Sequence, residues 1–131
     1  MRYFVLLCLF AVLFGCNNSV KSSETAKTDV TARITSEKKP SVIMFYANWC
    51  GYCKKMFPTF RSLQEKYKQE INFFYIDIDT KRGAELARQY RTKQGGVPDT
   101  LFYNSQGELL EEKLGAIAPE ILTKKVESLL N

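Results

Sequence analysis

The sequence predicts an α/β domain built on a mixed sheet of four to five strands with helices on both faces. Three observations predict it. Two apolar runs of strand length, residues 41–47 (SVIMFYA) and 71–79 (INFFYIDID), flank a segment with helical spacing. A second helical segment, residues 81–90, follows the second run. Two short strand-like runs joined by a turn, then a closing helix, complete the order β-α-β-α-β-β-α from residue 41. Strands separated by helices become parallel neighbours through right-handed crossovers, and a hairpin adds antiparallel edges.

Each element has its own justification. Residues 41–47 are apolar without interruption, which suits a central strand covered on both faces. In residues 51–69, Met56, Phe60, Leu63 and Tyr67 fall at i, i+4, i+7 and i+11, one face of a helix. Pro58 lies inside it and is expected to kink it. Residues 71–79 are rich in aromatic and β-branched side chains, as strands are. Thr80 is placed to cap the helix over 81–90, where Leu86 and Tyr90 pair at i, i+4. Residues 94–98 (QGGVP) read as a loop. Residues 100–103 and 109–114 read as strands, with Asn104-Ser105-Gln106-Gly107 as the turn between them. Ile121, Leu122, Val126, Leu129 and Leu130 mark the last helix, with Pro119 in its first turn.

Upstream of residue 40 the chain changes character. Arg2 precedes an apolar run from Tyr3 to Phe14, the layout of a secretory signal. The run is too short for a membrane span, which needs about 20 residues. Residues 17–39 are dominated by Ser, Thr, Lys and Asn, a composition that suits a solvated, flexible tether. Val30, Ala32 and Ile34 leave a short strand and a short helix both open near its end.

The end of the apolar run, Leu13-Phe14-Gly15-Cys16, resembles the lipobox of bacterial lipoproteins. That resemblance implies cleavage before Cys16 and a lipid on its sulfur. The expected division is a signal peptide at 1–15, a lipidated N-terminus and tether at 16–39, and a domain at 40–131. The implied location is the bacterial cell envelope, lipid-anchored and facing the periplasm or the outer face of the cell membrane. An ordinary secretory signal with a chance cysteine is the plainer alternative.

Composition excludes several kinds of chemistry. The 131 residues contain no histidine, so the chain has neither a Ser-His-Asp nor a Cys-His pair of its own. A net charge of +5, spread along the chain, is not the concentrated basic face that nucleic acid demands. Of the four cysteines, Cys8 and Cys16 lie at the leader, leaving Cys50 and Cys53. One monomer therefore cannot assemble a four-cysteine zinc site, and no metal is expected.

The chemistry is carried by Trp49-Cys50-Gly51-Tyr52-Cys53-Lys54, between the first strand and the first long helix. Cys50 falls at the helix N-terminus, where free N–H groups and the helix dipole favour a thiolate. A thiolate is the nucleophile of disulfide exchange, so Cys50 is expected to titrate below the ordinary thiol value of about 8.5. Cys53, one turn on, is expected to be shielded and to resolve the mixed disulfide. Zinc knuckles share this spacing, but here the pair opens a helix after a buried strand and precedes Gly96-Val97-Pro98 by about 45 residues.

Residues 41–130 resemble the thioredoxin superfamily through the segment Tyr46 to Lys54, through Pro58 and through Gly96-Val97-Pro98. The resemblance implies a thioredoxin-like fold with Cys50 and Cys53 as the redox pair. It implies a cis bond before Pro98, which packs against the pair. It also implies that Trp49, Gly51, Tyr52, Val97 and Pro98 form the substrate-binding surface, with the backbone of Val97 receiving the substrate chain as an added strand. No cofactor is implied beyond the Cys50–Cys53 disulfide.

Three positions depart from the family pattern. Met44 stands where thioredoxins carry a buried Asp that serves the resolving thiol, leaving water, Lys54 or Lys55 to take its proton. Tyr52 replaces the usual Pro of the dipeptide, as in bacterial disulfide isomerases. Asp99 follows Pro98, a charge expected beside the substrate strand and against acidic clients. The function implied is an extracytoplasmic thiol–disulfide oxidoreductase, a monomer acting on protein disulfides or thiols. Reduction is the favoured direction, as in thioredoxin-like or cytochrome-maturation proteins of the periplasm. A membrane electron donor or acceptor would recycle it. A disulfide oxidase or isomerase, or a non-enzymatic metallochaperone or assembly adaptor on the same fold, stays open.

Overall fold

The computed structural model of the chain describes residues 25–93 and 95–131. Its elements are α1 (Thr25–Ser36), β1 (Ser41–Tyr46), α2 (Gly51–Tyr67), β2 (Asn72–Asp77), α3 (Lys81–Tyr90), β3 (Asp99–Tyr103), β4 (Leu109–Leu114) and α4 (Pro119–Ser128). From β1 onward this is the expected order. Among the described residues four strands form one sheet, ordered β2-β1-β3-β4. β1 and β2 are parallel, as the α2 crossover requires. β3 runs antiparallel to β1, and β4 antiparallel to β3.

The uninterrupted apolar run of β1 now has its reason. Val42 and Met44 face α2 and α4, in one cluster with Met56, Phe60, Leu63, Phe73, Phe102, Leu122 and Val126. Ile43 and Phe45 point the other way, in a cluster with Phe74, Ile76, Leu86, Leu101 and Tyr103. Side chains alternate across a strand, so a strand covered on both faces must be apolar throughout. α2 runs unbroken through Pro58 over its 17 residues.

The expected tether does not extend to residue 39. Part of it is α1, whose Val30 and Ile34 are buried in the cluster of Ile43 and Phe45. Arg33 of α1 donates from Nη2 to Asn72 Oδ1 at 2.9 Å, and its guanidinium lies 4.9 Å from the Phe74 ring centre. Two apolar residues at i, i+4 make a sufficient stripe once a sheet face is there to receive them. Composition alone cannot reveal that face. The leader and Cys16 lie outside the described residues. Among the described residues no helix is long and apolar enough to cross a membrane.

Candidate active site

β1 ends beneath the start of α2, and this junction places the two cysteines. The chain leaves β1 through Ala47, whose carbonyl accepts the Cys50 N–H at 3.1 Å. Cys50 is the N-cap of α2, in extended conformation, and its Sγ accepts the N–H of Cys53 at 3.1 Å. A sulfur thus takes the capping place that an oxygen usually fills. Cys50 and Cys53 are joined by a disulfide, with Cα atoms 5.3 Å apart. Both are buried, in a small cluster with Ala47 that Tyr46, Phe57, Ile78 and Val97 surround.

The rim is different in kind. Trp49 and Tyr52 are 68% and 65% exposed, although both are large aromatics beside a buried pair. Lys55 places its Nζ 5.5 Å from the Tyr52 ring centre. A Cβ on Gly51 would meet nothing within 4 Å, so the head of α2 is uncrowded there. Exposed aromatic area at the mouth of a buried reactive group marks a contact surface.

The far wall is the loop entering β3. The Val97–Pro98 bond is cis, as the resemblance implies. The Val97 carbonyl oxygen lies 3.5 Å from Cys50 Sγ, and Pro98 is buried. The Pro98 carbonyl accepts the Gly115 N–H at 2.8 Å, tying the loop to the end of β4. All seven site residues expected within the domain, namely Trp49, Cys50, Gly51, Tyr52, Cys53, Val97 and Pro98, therefore gather at one end of the sheet.

One expectation about charge is corrected. Asp99 does not stand beside a substrate strand. It is fully buried, on the face that Phe45 occupies across the β1–β3 register. Its Oδ2 accepts from Arg91 Nε at 2.6 Å. Burial raises its pKa above the ordinary carboxylate value, Arg91 opposes the rise, and neighbouring Glu112 adds to it. Nor does Asp99 replace the carboxylate missing at Met44. Met44 pairs with Thr100, so Met44 and Asp99 point to opposite faces.

The residues behind the loop had no signal in the sequence. Arg91 donates from Nη2 to the carbonyls of Gly95 at 3.1 Å and Gly96 at 2.8 Å. Glu112, inward-facing on β4, accepts the N–H groups of Thr92 and Lys93 at 3.1 Å each and the Thr92 hydroxyl. Burial raises the Glu112 pKa, but these hydrogen bonds outweigh burial and the net shift is downward. Arg91 and Glu112 are some twenty residues apart, and no local pattern joins them. An acidic residue at the fourth position of LLEEKL reads as solvent-facing until β4 is placed beside α3.

Comparison with known proteins agrees with this geometry. The thioredoxin family model matches residues 21–128. Over 70 residues the chain is 46% identical to a thioredoxin of Borreliella burgdorferi, covering 53% of this chain and 56% of that one. It is 25% identical over 92 residues to the thiol:disulfide interchange protein TxlA homolog of Synechocystis, covering 70% of this chain and 50% of that one. It thus spans about half the length of these two curated relatives. Among solved structures, oxidised thioredoxin O2 of Arabidopsis thaliana superposes with a TM-score of 0.69 at 25% identity, over 83% of this chain and 90% of that one. With a family match over most of its length, the matching fold and a Cys-x-x-Cys disulfide at the start of α2, the chain belongs to the thioredoxin family.

Proposed function

We propose that this protein is a thiol–disulfide oxidoreductase that reduces protein disulfides outside the cytoplasm, tethered to a membrane by lipid on Cys16. The observation that carries the chemistry is the Cys50–Cys53 pair capping α2, with Cys50 Sγ taking the Cys53 N–H and standing 3.5 Å from the Val97 carbonyl. A negative sulfur at that place is stabilised by the N–H and by the positive end of the helix.

In the reduced protein the Cys50 thiolate attacks one sulfur of a client disulfide. The client S–S bond breaks, a Cys50–client disulfide forms, and the displaced client thiolate takes a proton. Cys53 then loses its proton and attacks Cys50 Sγ, restoring the Cys50–Cys53 bond and expelling the second client thiolate. Two electrons pass to the client, whose two thiolates take up one proton equivalent to that lost by Cys53 and one from solvent. A membrane-held dithiol donor must return the pair to its reduced form. Trp49, Gly51, Tyr52, Val97 and Pro98 form the client surface, and client chain adds alongside the Val97 backbone.

An insulin-reduction assay tests the reaction. Wild type is expected to be active and Cys50→Ser inactive; equal activity in both refutes the redox role. Equilibration with glutathione gives the direction. A potential near −270 mV fits a reductant, and one near −120 mV turns the reading to an oxidase, by the range of known dithiol proteins. Radioactive palmitate should label wild type and not Cys16→Ala. Labelling unchanged in that variant removes the anchor from the proposal.

A further inference from the structure

Arg91 touches neither cysteine, yet it grips the active-site loop from both ends. Its side chain is 11% exposed. Nη2 holds the carbonyls of Gly95 and Gly96, upstream of Val97. Nε holds Asp99, two residues downstream of Val97 and itself fully buried. Val97 packs beside the disulfide, but the backbone of the loop has few other ties. Among the described residues, Gly95, Gly96 and Val97 make no backbone–backbone hydrogen bond, and the nearest one to them is Gly115 N–H to the Pro98 carbonyl. Two consecutive glycines have more backbone freedom to lose than any other pair.

Arg91 is in turn held firmly. Its own N–H closes the end of α3 on the Ala87 carbonyl at 3.0 Å. The next two residues are fastened to the Glu112 carboxylate on β4. Its guanidinium lies 5.9 Å from the Phe45 ring centre, against the central strand. One planar group thus ties the loop to the end of α3 and to Asp99 at the start of β3, and Glu112 fastens the segment after α3 to β4. A guanidinium can serve three acceptors in fixed directions, whereas an ammonium is a point charge on a flexible stem.

We propose that Arg91 is a positioning residue for disulfide exchange. With Asp99 as its anchor, it holds the Gly95–Val97 backbone so that the Val97 carbonyl stands against Cys50 and an incoming client chain meets an ordered edge. The proposal rests on the oxidoreductase reading above. Its consequence is a separation between large and small substrates. A client protein must dock on the loop and on Cys50 together. A small aromatic disulfide such as 5,5′-dithiobis(2-nitrobenzoate) needs only the thiol.

The test compares wild type with Arg91→Lys, which keeps a positive charge on Asp99 but loses the fork. The double variant Arg91→Gln/Asp99→Asn removes both buried charges together and serves if the single variant does not fold. In the folded variant, kcat/KM for insulin should fall by about tenfold or more, chiefly through KM, since small misplacements at a reacting centre cost up to about a hundredfold. The rate with the small disulfide should stay within about twofold. Amide hydrogen exchange at Gly115, whose N–H is bonded to the Pro98 carbonyl of the loop, should quicken while exchange in β1 is unchanged. Unchanged insulin kinetics, or an equal fall for both substrates, overturns the proposal. A wild-type protein that reacts with the small disulfide but never with insulin refutes the client-reduction reading instead, and the proposal falls with it.

Discussion

The N–H of Cys53 points at the sulfur of Cys50 across 3.1 Å, so the backbone of one member of the disulfide caps the sulfur of the other. The two sulfurs are thereby made unequal by backbone geometry. Cys50 is at the edge of the helix start, whereas Cys53 is fully buried one turn inside.

In the reduced protein, iodoacetamide at neutral pH should therefore alkylate Cys50 well before Cys53. Peptide mass spectrometry after a short pulse reads the order directly. Preferential modification of Cys53 would exchange the two roles. Cys53→Ser should accumulate mixed disulfides with client proteins, visible on non-reducing gels and released by dithiothreitol.

The docking of α1 can be tested at Ile34, 2% exposed within the cluster of Ile43 and Phe45. Ile34→Ala should destabilise the protein by about 2–5 kcal/mol, the usual range for emptying such a site. Urea unfolding measures it. A loss below about 0.5 kcal/mol would mean that α1 contributes little to the folded body.

The start of α3 carries a backbone constraint. Thr80 caps it, accepting the Gly83 N–H at 2.9 Å and donating to the Asp77 carbonyl at 2.8 Å. A Cβ on Gly83 would fall 1.7 Å from that same carbonyl oxygen, so the first turn of α3 cannot stay in place with any larger residue. Thr80→Ala should cost about 1 kcal/mol. Gly83→Ala should cost more, in the range of about 1–3 kcal/mol or above for overpacking against backbone. Thermal unfolding of the two variants ranks them; a milder effect for Gly83→Ala would contradict the packing.

Alkaline pH should weaken the fold through two tyrosines. Burial pushes the Tyr75 and Tyr103 hydroxyls up to about 12 from an ordinary value of 10.0. Below pH 10 both states are protonated and the stability is fully present. Between pH 10 and 12 only the unfolded chain ionises these groups, so stability falls as pH rises through that window. The double variant Tyr75→Phe/Tyr103→Phe should flatten this part of the stability–pH curve. A curve as steep as that of wild type would assign the loss to other groups.

How much of this could be read in advance differs from element to element. β1 was legible because a doubly covered strand needs an unbroken apolar run, and residues 42–45 supply one. The redox pair was legible because Cys-x-x-Cys at a strand-to-helix junction is a local pattern, and its chemistry follows from the helix start. α1 was only half legible: Val30 and Ile34 permitted a helix, but the face that makes it worthwhile is assembled from β1, β2 and β3.

What the sequence by itself determined is the local grammar: the order of elements, the period of each apolar stripe, the cap at Thr80 and the cysteines at the head of α2. What only the tertiary structure decided is which charges meet. Asp99 looked like a surface charge beside the client site. It is instead a buried anchor, because the β1–β3 register sets it beside Phe45 and the end of α3 brings Arg91 to it. Glu112 looked like one of several acids on an edge strand, until β4 placed it under Thr92 and Lys93. Propensity and periodicity act over a few residues. A buried ion pair forms between groups that chain folding brings together, and its partners carry no mark of one another in the sequence.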